Sequence, residues 1–95
     1  MKEKNIINLS FDKTLTYLAG NPFGVAEYNK IKDKVDFNKM NVFVFPDTIE
    51  RIGTSFVQGF FSEIVERVGI EHFKEYVLIE SVHEKVKDKV LNNLV

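Results

Sequence analysis

Three consecutive segments limit the fold more than anything else in this chain. "NVFVF", residues 41–45, is apolar at four successive positions and β-branched at alternate ones, the pattern of a strand covered on both faces. From Thr54 onward Phe56, Val57, Phe60, Phe61, Ile64 and Val68 recur at helical spacing, and Gly69 stands where a C-terminal glycine cap belongs. "EYVLIE", residues 75–80, reads as another buried strand. Strand, helix, strand in that order implies a parallel crossover, and such crossovers are right-handed in nearly all proteins.

The flanking segments extend this frame. Residues Asn5–Ser10 and Lys13–Leu18 place Ile7, Leu9, Leu15 and Tyr17 on alternating positions, which predicts a hairpin or two adjacent strands. "AGNPFG" breaks the pattern; Asn21 before Pro22 reads as an N-cap followed by proline in the first turn. A helix over residues 22–34 follows, with Val25, Tyr28 and Ile31 inward and Phe23 or Val35 at its ends. After "EYVLIE", Ser81 stands three residues before Glu84 in a capping-box spacing, and Val82, Val86, Val90 and Leu94 recur every four residues, so the chain closes in a helix. The expected fold is a small α/β sandwich: a mixed sheet of about four strands with about three helices over it.

With 95 residues the chain suits a single domain, residues 1–95, because two cores would each be too small to bury enough surface. A hydrophobic fraction of 44% with nine Phe and three Tyr is that of a packed globular chain, not a disordered one. Thirteen Lys plus Arg against fourteen Asp plus Glu leave a net charge of −1, which argues against nucleic acid as a partner. The lack of cysteine excludes disulfides, thiolate catalysis and cysteine-ligated metals, and is compatible with a cytoplasmic setting. No apolar run approaches the roughly 18 residues of a membrane span.

Catalytic equipment is missing from the sequence pattern. His72 and His83 are single histidines in charged surroundings, without a second ligand at metal-binding spacing. Glu80, Glu84 and Asp88 read as solvated ends of a strand and a helix. Ser10, Ser55, Ser62 and Ser81 have no nucleophile-elbow context, and neither phosphate-loop nor dinucleotide motif occurs. The expectation is a protein that is not an enzyme and needs no cofactor or metal.

The helix from Thr54 or Ser55 carries the one unusual surface. Opposite its apolar arc lie Ser55, Gly59, Ser62 and Glu66, with Gln58 at the margin: a small, nearly uncharged stripe. Glycine inside a helix costs roughly 1 kcal/mol relative to alanine, so something comes close to Gly59, either a partner or a neighbouring element of the same domain. "SFVQ" matches a capping box, with Gln58 reaching back to Ser55. A hydroxyl at a helix N-terminus is equally where a phosphate is well tolerated, so Ser55 has two readings, cap or phosphorylation site. Thr54 is the weaker candidate for either, since Val57 stands where its capping partner would be.

These residues carry a resemblance. A buried strand at Val42–Phe45, then Ile49, Ile52, Ser55 and Phe56 opening an apolar helix, Gly59 within it, Gly69 and Phe73 after it, and Gly24 in the first helix together resemble the STAS-like family of unknown function, which is related to the bacterial anti-sigma factor antagonists. The similarity covers roughly residues 20–95. In those antagonists the serine opening the helix after the central strand is phosphorylated by a kinase of the histidine-kinase ATPase fold, and phosphorylation breaks the complex; Ser55 occupies that place. The resemblance implies a regulatory protein-binding domain whose switch surface comprises Ile52, Gly53, Thr54, Ser55, Gln58, Gly59 and Ser62. A homodimer through the Gly59 stripe is one further expectation. A second reading of the same features is a phage- or mobile-element-encoded inhibitor or accessory protein that plugs a host enzyme or immune complex.

Overall fold

The computed structural model describes residues 3–93, and the run at Val42–Val44 lies, as its pattern demands, in the middle of a sheet. In chain order the elements are β1 (Lys4–Asn8), β2 (Tyr17–Leu18), α1 (Asn21–Ile31), a 3-10 turn at Lys32–Lys34, β3 (Met40–Val44), β4 (Arg51–Ile52), α2 (Thr54–Val68), a second 3-10 turn at Ile70–His72, α3 (Phe73–Tyr76), β5 (Val77–Glu80) and α4 (Glu84–Asn93). The main sheet has the order β1-β3-β5, and β2 pairs with β4 in a second, two-stranded sheet. Every described pairing is parallel, with Ile7 beside Phe43 and Phe43 beside Ile79 across the main sheet. The α/β class is as expected; the sheet is divided and wholly parallel instead of mixed, and there are four helices among the described residues.

The hairpin expected from residues 5–18 does not form, and the hydrogen bonds show why. The ladder of β1 runs to β3 and continues as Leu9 N–H donating to the Val44 carbonyl at 2.9 Å. Asp12 then turns the chain, its Oδ1 accepting from both the Thr14 amide and the Thr14 hydroxyl, contacts that hold the Asp12 carboxyl below its ordinary pKa. The carbonyls of Thr16 and Leu18 accept from Glu50, Arg51 and Gly53. Alternation therefore marks half-buried strands correctly but does not choose their partners. β4 had no signal of its own, because two residues are too few for a period to be visible.

The core lies on one side of the main sheet. Ile7, Leu9, Phe43, Phe45, Val77 and Ile79 point into it, while α1, α2 and α4 cover them with Tyr28, Phe56, Phe60, Phe61, Ile64, Val86 and Val90. Its largest fully buried side chains are phenylalanines: Phe60 meets Phe43 edge-on with ring centroids 5.8 Å apart, Phe61 meets Phe43 at 5.4 Å and Phe73 at 5.5 Å, and Tyr28 meets Phe60 at 5.7 Å. Edge-to-face pairs of this kind add about 0.5–1.5 kcal/mol each beyond area burial. At the amino ends of the strands the buried Asn41 accepts from Asn5 and the Asp36 amide through Oδ1 and donates to the carbonyls of Asp36, Lys39 and Tyr76, tying the loop before β3 to both neighbouring strands.

Three local expectations need correction. The residue capping α1 is Gly20, with Asn21 already helical, and Val25 is exposed while Gly24, Glu27 and Tyr28 are the buried positions. Glu27 is tolerated there because Lys30 reaches its carboxylate at 2.7 Å. Ser81 Oγ accepts from the His83 amide, two residues on, and α4 begins at Glu84, so the Ser81–Glu84 capping box is not made. Val86 and Val90 are buried as their spacing implies, Val82 is exposed, and Leu94 lies outside the described residues.

Candidate functional site

The amino end of α2 is placed by the segment that precedes it. After β3 the Pro46 carbonyl accepts from the Ile49 amide at 3.1 Å, closing a turn that drops Ile49 into the core. β4 then attaches beside β2, and Gly53 N–H donates to the Leu18 carbonyl at 2.7 Å, fixing the point where the helix starts. Gly53 is the cap residue: its carbonyl accepts from Val57 N–H, and no side chain caps the helix.

That geometry changes the role of Ser55. The helix already includes Thr54, so Ser55 sits in its first turn, beyond the position from which a capping box could act, and the Ser55–Gln58 box is absent. Thr54 and Ser55 are both exposed, as are Gln58 and Ser62. No side-chain cap takes up the first-turn amides, which stand at the positive end of the helix dipole.

Gly59 departs from the expected outward stripe. It is buried, and a Cβ built on it would lie 2.3 Å from the Asn21 carbonyl oxygen of α1. Gly24 makes the reciprocal approach: its Cβ would lie 2.5 Å from the Phe56 carbonyl oxygen and 2.8 Å from the Phe60 nitrogen. The two glycines are the contact points of one crossing, where the α1 and α2 backbones touch without side chains between them. Of the surface expected from the sequence, Ile52, Gly53 and Gly59 are therefore interior, and a homodimer through Gly59 has no surface to use. Thr54, Ser55, Gln58 and Ser62 remain as an exposed set along α2. Ser62 spends its hydroxyl locally, donating to the Gly59 carbonyl at 3.1 Å.

The histidines have structural neighbours. His72 Nδ1 lies 2.7 Å from the Glu75 carboxylate on the surface. His83 donates from Nε2 to the Asp47 carbonyl at 2.8 Å, joining the start of α4 to the turn after β3. Glu80, Glu84 and Asp88 are all exposed, and among the described residues no three His, Asp or Glu side chains converge as a metal site would require. Burial, followed by the negative charge of Glu63 and a hydrogen bond to its carboxylate, pushes the Tyr28 hydroxyl up to about 12. This shift accompanies the burial of Tyr28 in the α1–α2 seam.

Sequence reasoning missed two features here: Asn41 as the junction of loop and strands, and the basic wall formed by Arg51 with Lys85 and Lys89 beside Thr54. A buried amide between two lysine-rich turns has no pattern to detect, and Arg51 and Lys89 are 38 positions apart in numbering. No protein-family model, curated protein or solved structure matches this chain. Among the described residues no helix is long and apolar enough to cross a membrane.

Proposed function

We propose that this chain is a non-enzymatic regulatory domain of STAS-like type that acts by binding another protein, and that Ser55 is its phosphorylation switch. The single observation that supports this most is the position of Ser55: exposed, in the first turn of a helix with no side-chain cap, and free of the capping duty that would otherwise account for it. A phosphate there would add roughly −1.5 to −2 charges beside free backbone amides, where the helix itself tolerates it, yet in the middle of a contact otherwise made by Thr54, Gln58 and Ser62. Its desolvation would weaken that contact while leaving the fold intact. The partner class is a serine kinase of the histidine-kinase ATPase fold or a protein controlled by one, in the cytoplasm.

The test is incubation with ATP and such a kinase encoded beside this chain, followed by peptide mass mapping. A phosphate on Ser55 that disappears in Ser55→Ala, with loss of kinase co-elution on modification, is the expected result. A phosphate confined to other residues, or none, overturns the switch.

A further inference from the structure

We infer that the groove between β4 and α4 is a binding site for a phosphate monoester dianion. The groove is open to solvent, with a volume of about 580 Å³, and its wall brings together Arg51 from β4 and Lys85 and Lys89 from α4. Asp88 is the one carboxylate in that wall, so the lining carries two net positive charges on a chain whose formal charge is −1. None of the three cations takes part in an ion pair among the described residues. Lys85 and Lys89 stand one helical turn apart, where like charges repel by about 0.2–0.5 kcal/mol, with Asp88 the carboxylate beside them in the groove lining.

Arg51 lies with its guanidinium 5.1 Å from the centroid of the Tyr17 ring, and a planar guanidinium fork matches two phosphate oxygens at once. Thr54 also lines the groove. Beyond the ridge made by Arg51 and Lys85, a second shallow depression is lined by Glu50 and Glu84, which bounds the positive region on that side. A nucleic-acid strand would need cations spaced along its backbone; three cations lining one groove instead suit one dianionic group of roughly −1.5 to −2 charges. The group could arrive on a phosphorylated side chain or on a free metabolite, the recognised chemistry being the same.

This inference does not rest on modification of Ser55, and the experiment uses the unmodified full chain so that the two can fail separately. Inorganic phosphate, a phosphoserine peptide and adenosine monophosphate are each titrated in against amide chemical shifts, with chloride at matched ionic strength as the control. Saturable shifts at Arg51, Thr54, Lys85 and Lys89 are expected with phosphate and not with chloride. Lys85→Ala and Lys89→Ala should each weaken phosphate about two- to five-fold. Asp88→Asn should strengthen it, and Lys13→Ala, remote in the Asp12 turn, should leave it unchanged. Tighter binding of the peptide or of the nucleotide identifies the source; equal binding assigns recognition to the phosphate alone. Absence of saturable shifts, or equal weakening by Lys13→Ala, overturns the site.

Discussion

Gly59 and Ser62 occupy the same flank of α2, about one turn apart, and have opposite surroundings. Gly59 is pressed against the backbone of Asn21, whereas Ser62 is exposed and bonded only to its own helix. Small residues on a helix can mean a close approach or simply an undemanding surface, and on a helical wheel the two are indistinguishable. Here α1 touches α2 at Gly59 and, through Tyr28, again at Glu63, while Ser62 lies off that line, so a single stripe is divided between seam and solvent.

That division can be broken experimentally. Gly59→Arg should abolish folding, since even a Cβ would lie 2.3 Å from a backbone oxygen that no rotamer change can move; loss of the cooperative thermal transition checks this. Gly24→Ala and Gly59→Ala should each cost about 2–3 kcal/mol by overpacking, read as a lowered denaturant midpoint at unchanged slope. If either alanine is neutral, the two helices do not cross as closely as described.

The buried side of the seam has a pH signature. The Tyr28 hydroxyl is raised to about 12, so its neutral form is favoured by folding. The contribution is complete below the unfolded tyrosine value near 10 and is lost as pH rises from there through about 12. Spectrophotometric titration should show a late-ionising tyrosine that Tyr28→Phe removes, together with a flatter fall in stability over that window. On the open side, Ser62→Ala should change stability by no more than about 0.5 kcal/mol. Ser55→Asp should raise it slightly, by about 0.3–1 kcal/mol at low salt, because the acid sits in the first helical turn. A large loss from either would mean that this flank is not free.

How far the sequence could be read follows from the length of each signal. α2 announced its span and its end, Gly69 adopting φ 85 at the cap, because fifteen residues hold four turns of one period. β3 was legible as central because its run is apolar on both faces. The amino-terminal half was misread where two short alternating runs seemed to demand each other, and their real partners, β3 and β4, lay much further along the chain. Ser55 and Thr54 were found as exposed hydroxyls at the right helix end, yet the helix starts two residues earlier than a cap at Ser55 requires. The basic groove escaped because β4 and α4 contribute to it separately, and only the fold makes them neighbours.

The exclusively parallel pairing also sets how the molecule must assemble. Lys4 meets Met40, Tyr17 meets Arg51 and Asn41 meets Val77, so each strand pair closes a loop of roughly 35 residues before its first hydrogen bond can form. Among the described residues no hairpin offers a local starting point, and on the ribosome the main sheet stays incomplete until β5 has emerged. Folding should consequently be slow for a domain of this size, and the helices, above all α2, are the only elements able to organise early.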